Sequence, residues 1–120
     1  IGIEQLKKLD KMNSKRSNIA KQYFKEIENV KKMPFDKSCT YHLYWICVKN
    51  RKELREKLYE KGIQTGTHYK PIHKFRLYKK KYRLPITEKV GREIVTIPIH
   101  PNMTSNQIEK VVSCINKFTK

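Results

Sequence analysis

Two histidines bracket a proline-bearing run in "GIQTGTHYKPIH", residues 62–73. His68 and Tyr69 adjoin, Lys70 and Pro71 follow, and His73 closes the stretch. Imidazoles that titrate near neutral pH can ligate a metal, move a proton or donate to a ligand oxygen. A phenol and an ammonium beside them add a donor and a positive charge. The first question is which of these chemistries the spacing permits. As a metal pair, His68 and His73 are five residues apart with Pro71 between them, so they cannot share a helical face as i and i+4 ligands would. A catalytic zinc centre needs three protein ligands, and the remaining histidines, His42 and His100, come from distant segments. Metal binding is therefore disfavoured.

Nucleophilic catalysis fares no better. Ser38, Ser105 and Ser113 follow no glycine-rich elbow, and Asp10 and Asp36 are the only aspartates available to a triad. The two glycines of "GIQTGTHY" are not followed by Gly-Lys-Thr/Ser, so this is not a P-loop. Two readings remain open. In one, Thr65, Thr67, His68 and Tyr69 present hydrogen-bonding groups to a polar ligand. In the other, they are a strand-end loop that satisfies its own backbone. "HYKPIHKFRLYKKKYR" also interleaves bases with Tyr69, Phe75, Tyr78 and Tyr82, which could stack on nucleotides. Spacings 75, 78 and 82 equally suit an apolar helical face.

These residues need elements to position them. Ile3, Leu6, Leu9 and Met12, then Ile19, Tyr23, Ile27 and Val30, recur at steps of three and four. A long leading helix over residues 1–33 is expected, weakened by the polar patch "NSKRSN" at 13–18 and ended by Pro34. "HLYWICVK", residues 42–49, predicts a strand. It is continuously apolar and aromatic rather than alternating, so both its faces should be covered. Helices in a domain this small cover one face, and another partner is expected on the second. Asn50 and Glu53 predict a capped helix carrying Leu54 and Leu58, ended by Gly62. Residues 63–69 read as a second strand. A short helix from Pro85 and Thr87 carries Val90 and Ile94, and "VTIPI", residues 95–99, is a third strand ended by Pro98. Thr104 and Gln107 form a capping box before a helix that buries Ile108, Val111, Val112, Ile115 and Phe118. The expected architecture is α/β of the α+β kind: one domain over residues 1–120, a small three-stranded sheet flanked by helices.

At 120 residues the chain can enclose one modest core. Its 28 basic and 11 acidic residues give a formal charge of +17, which attracts polyanions. Lysine is nonetheless spread along the whole chain, and only "YKKKYR", residues 78–83, is dense. That spread argues for a solvated surface and against a dedicated nucleic-acid face. Cys39, Cys47 and Cys114 are an odd number without C-x-x-C spacing, which points to a reducing, cytoplasmic setting. No apolar run approaches membrane-spanning length.

Several segments taken together resemble the small domain of the pyridoxal-phosphate-dependent nucleotide-sugar aminotransferases, the DegT/DnrJ/StrS family. "QLKKLDKMNSKRSNIAKQY" is similar to that domain's opening helix, and "YHLYWICV" to its His-Leu-Tyr strand. "KGIQTGTHYKPIH" resembles the Gly-Ile-x-Thr-Gly-x-His-Tyr-x-Pro-Ile-His signature, and "LPITEKVGREIVTIPIHPNMT" the stretch that ends in Pro-x-His-Pro-x-Leu-Thr. The match runs in order over essentially all 120 residues. It implies the C-terminal domain of a fold-type-I aminotransferase, active as a homodimer, that moves an amino group from glutamate to a nucleotide-linked keto-sugar. It also implies that pyridoxal 5'-phosphate and the lysine that carries it belong to an N-terminal domain outside this chain. A first residue other than methionine and a doubly apolar strand fit that expectation. His68, Tyr69, His73 and Lys70 become candidate substrate-binding residues: His68 and Tyr69 facing sugar or cofactor, His73 supporting their loop, and Lys70 meeting phosphate. No lysine of this chain takes a catalytic role. The competing expectation is a small basic nucleic-acid-binding module.

Overall fold

The computed structural model describes residues 1–78 and 82–120. Residues 79–81 of the "YKKKYR" run therefore lie outside the described residues.

Three antiparallel strands in the order β1-β2-β3 form the sheet: β1 (Lys31–Lys32), β2 (Tyr44–Cys47) and β3 (Ile94–Ile97). Tyr44 opposes Ile97, Trp45 opposes Thr96, Ile46 opposes Val95 and Cys47 opposes Ile94. Alternation along the strands separates these pairs onto two faces. Tyr44, Ile46, Val95 and Ile97 lie on one face and are buried. Against them pack α2 (Leu9–Glu26) through Ile19, Ala20 and Tyr23, α3 (Arg51–Glu60) through Leu54 and Leu58, and α5 (Ser105–Phe118) through Ile108, Val111, Val112 and Ile115. The Tyr23 hydroxyl donates to the Pro98 carbonyl at 2.7 Å, so this large ring brings no unpaired polar atom into the core. Trp45 and Cys47 occupy the second face of β2 and are only half-buried. That is the face for which the apolar strand sequence demands a cover. Cys47 is accordingly not the fully buried small hydrophobe its setting suggests, although partial burial still raises its thiol pKa, with Glu93 adding to the effect.

The leading helix departs from expectation. It is divided into α1 (Gly2–Leu6) and α2 by Lys7 and Lys8, well before the polar patch at 13–18. It ends at Glu26 rather than continuing to residue 33. Ile27 is already extended and Asn29 takes φ 60°, a conformation asparagine tolerates. Val30 and Met33, whose spacing suits a helix, instead pack on the core from either side of β1, whose register pairs Lys32 with Ile46. Residues 1–11 are exposed throughout, and the radius of gyration is 16.1 Å, against about 14 Å for a compact chain of this length. The N-terminal end thus projects from the body.

The second expected strand, 63–69, is a single bridge. Gly66 exchanges both backbone hydrogen bonds with Thr96 at 2.9 Å, and the chain then leaves the sheet. The Thr65 side chain is engaged away from the sheet, where Arg55 Nε donates to its Oγ1 at 3.0 Å. β1 supplies the third strand in its place.

At the helix ends, the capping box of Thr104 and Gln107 is formed in both directions. Asn50 stands at the N-cap of α3 but makes no side-chain cap, and Glu53 pairs with Lys57 at 2.6 Å. Gly62 adopts φ +73° directly after α3, as a helix-terminating glycine does. Among the described residues, no helix is long and apolar enough to cross a membrane.

Candidate functional site

Thr96 is the polar residue of an otherwise apolar strand. Its side chain lies on the half-covered face, opposite Trp45 in the register, and it is 5% exposed. A buried hydroxyl there needs a partner, and His68 is that partner. His68 Nδ1 lies 2.7 Å from Thr96 Oγ1. Whichever group donates, one ring nitrogen is consumed and Nε2 remains for a ligand.

Gly66 makes this contact sterically feasible. A Cβ there would sit 2.4 Å from His68 Cε1 and 2.7 Å from Thr96 Oγ1. The bridge to β3 thus brings the backbone of residue 66 so close to the imidazole that no side chain fits between them. An open cleft of about 710 Å³ borders this point, lined by His42, Thr65, His68, Thr96, His100 and Lys110 among others.

Beyond His68 the chain turns away from the sheet toward α4 (Pro85–Glu93). Tyr69, joined to His68 through a cis peptide, is 72% exposed. Lys70 is exposed too, with its ammonium 5.3 Å above the Phe75 ring. Pro71 lies against Gly91 of α4, where a Cβ would approach the proline ring to 2.5 Å. His73 is the buried member of the candidate set. Its Nε2 lies 3.2 Å from Glu88 Oε1. The same carboxylate accepts the Leu84 N–H at 3.3 Å and pairs with Lys74 Nζ at 3.3 Å. Leu84's backbone N–H first, and then Lys74 and His73, hold the Glu88 carboxyl below the usual glutamate range. Since an ionised carboxylate only accepts, His73 Nε2 carries the proton of that bond.

The four candidate residues therefore occupy one loop but two surroundings. His68 belongs to the β3-edge cleft. Lys70 and His73 border a second hollow of about 620 Å³, lined also by Ile72, Leu77, Tyr78, Tyr82 and Leu84. Phe75, Tyr78 and Tyr82 are exposed rather than core, so near-helical spacing misleads there. Among the described residues, no three histidine, cysteine or acidic side chains gather as metal ligands.

Sequence reasoning overlooked Thr96, Gly91 and the function of Glu88. The available signals were a threonine inside an apolar strand and a glutamate four residues after the leucine that precedes a helix-opening proline. Neither identifies a histidine partner without the fold.

A cofactor that bonds covalently to an amine requires a lysine in a desolvated pocket and a cradle for its phosphate. Among the described residues no lysine is buried. The described residues thus do not make up such a site by themselves.

Residues 1–116 match the model of the DegT/DnrJ/EryC1/StrS aminotransferase family, and the chain belongs to that family. It is 34% identical over 125 aligned residues to a dTDP-3-amino-3,6-dideoxy-alpha-D-galactopyranose transaminase of Aneurinibacillus thermoaerophilus, an alignment covering 95% of this chain and 33% of the relative. To a GDP-perosamine synthase of Escherichia coli O157:H7 it is 30% identical, covering 98% and 34% respectively. Among solved structures, a DegT DnrJ EryC1 StrS aminotransferase from Brucella abortus superimposes with a TM-score of 0.89 at 26% identity, over 98% of this chain and 34% of that one. Helicobacter pylori PseC, an aminotransferase involved in pseudoaminic acid biosynthesis, gives 0.86 at 27%, over 97% and 35%. The chain spans about a third of the length of the curated relatives it matches.

Proposed function

We propose that this chain is the smaller part of a pyridoxal-5'-phosphate-dependent aminotransferase that moves an amino group from glutamate to a keto-sugar carried on a nucleotide. The enzyme works as a homodimer in the cytoplasm, and its cofactor is bound by the larger part. The observation that carries this reading is the placement of the 66–75 loop. The residues that match the family model, 1–116, include His68, held by Thr96 on the half-covered face of the sheet, with Tyr69 and Lys70 exposed beyond it. The cofactor, when bound, supplies the electron sink for the reaction.

The work of this chain's residues is positioning. His68, with Nδ1 engaged by Thr96, offers Nε2 to a sugar hydroxyl in a fixed orientation. Tyr69 and Lys70, exposed beside it, offer a phenol and an ammonium to the sugar and the diphosphate of the substrate. His73 stays behind, tied to Glu88, and supports the loop from within.

The test is His68→Ala in the enzyme that contains this chain. Loss of a positioned donor predicts a fall in kcat/KM of about tenfold or more. An unchanged kcat/KM removes His68 from the substrate site.

A further inference from the structure

Four residues, Tyr69 to Ile72, separate His68 from His73, and the span is held at both ends and in the middle. His68 is tied to Thr96 on β3, Pro71 rests on Gly91, and His73 is tied to Glu88. The last two attachments fall on α4 at positions 88 and 91, three residues apart and so on one face of that helix. Lys74, which follows His73, adds its ammonium to the same carboxylate. Almost no apolar burial assists: Tyr69, Ile72, Phe75, Leu77 and Tyr78 are all exposed. A loop without a core of its own takes its position from such polar and steric contacts.

We propose that Glu88 is a positioning residue for the substrate loop, acting through His73 and Lys74, with Gly91 as the notch that seats Pro71. This rests on the reading of the loop as a wall of the substrate cleft. Glu88 does not itself touch substrate. It fixes the far end of the span, so that Tyr69 and Lys70 stand at a set distance from His68. If the α4 attachments are lost, His68 stays on β3 while its neighbours become free to wander.

The experiment is hydrogen–deuterium exchange on the enzyme that contains this chain, with Glu88→Gln, His73→Gln and, separately, Gly91→Ala. Losing a charge-assisted bond should speed exchange of residues 69–75 by about tenfold, with β3 and α5 unchanged. Gly91→Ala discriminates further. Alanine favours a helix over glycine, so a role confined to α4 predicts slower exchange in that helix and nothing at the loop. The proposal predicts faster exchange at 69–75 in the same variant, because the new methyl displaces Pro71. Unaltered exchange at 69–75 in His73→Gln and Gly91→Ala overturns it, whether or not Glu88→Gln folds. Kinetics of the enzyme containing the chain supply the functional arm. Glu88→Gln should raise KM for the sugar substrate about tenfold, with kcat changing less. Unchanged kinetics in Glu88→Gln beside a loss in His68→Ala overturn the positioning role. Unchanged kinetics in both overturn the cleft reading beneath it.

Discussion

The two faces of the sheet are organised on different physical terms. On one, Tyr23, Ile27, Tyr44, Ile46, Leu58, Val95 and Ile115 are removed from water almost completely, and three helices close over them. On the other, Trp45 and Cys47 are half-covered, and the residues that follow His68 leave Tyr69, Ile72, Leu77, Tyr78 and Ile86 in solvent. The first region is held by area, the second by a few directed contacts. Stability and the proposed function are thereby separated in space: the core can be rigid while the loop presents its polar groups to solvent.

That separation breaks most visibly under truncation. Ile115→Ala removes a fully buried side chain from the helix face that meets the sheet and should cost about 3 kcal/mol in urea unfolding. Ile86→Ala, at 80% exposure on α4, should cost no more than about 0.5 kcal/mol. Equal costs would mean that the exposed segment is packed in solution and the contrast is false. A smaller effect is expected at the boundary between the regions. Gly66→Ala places a methyl against the His68 ring and the Thr96 hydroxyl, and relieving that overlap should cost about 1–3 kcal/mol. It should also dissolve the His68–Thr96 bond, read as loss of protection at the Gly66 and Thr96 amides, which pair with each other. A variant of wild-type stability with those amides still protected would show that the close approach is not required.

The same contrast governs what the sequence disclosed. Elements held by apolar area were legible: the strand at 44–47, the α5 stripe of Ile108, Val111, Val112 and Ile115, and the termination at Gly62 all follow from pattern. Where apolar residues serve a sheet from an irregular segment, the pattern misled. Val30 and Met33 kept a helical step yet flank β1, and Phe75, Tyr78 and Tyr82 kept one yet face solvent. The loop could be singled out as a candidate, because two histidines around a proline and a family resemblance marked it. Its supports could not. Thr96 and Glu88 meet their histidines across 28 and 15 residues of chain, and no local spacing encodes such a meeting.

The finest test of the comparison uses acid, because the directed contacts contain a titrating group and its charge is what gathers the donors. The Glu88 carboxyl is held below the ordinary glutamate value of about 4.3, chiefly by the Leu84 N–H and then by Lys74 and His73. For a carboxyl whose folded pKa is depressed, the stabilisation is present above the ordinary value and is lost as pH falls through the lowered one. Acidification should therefore release the α4 end of the loop while the His68–Thr96 anchor holds, because Nδ1 can donate to the Thr96 hydroxyl in the charged ring as in the neutral one. In an NMR titration the Leu84 amide, which donates to that carboxylate, should shift with an inflection below about 4.3. Resonances of Tyr69 and Lys70 should broaden over the same interval while those of Gly66 and Thr96 stay sharp. Glu88→Gln should abolish the inflection, since the amide accepts the Leu84 N–H at every pH. A Leu84 amide that titrates at or above the ordinary value, or a Gly66 signal lost together with Tyr69, would mean that the two anchors are one unit and that the loop opens only with the sheet.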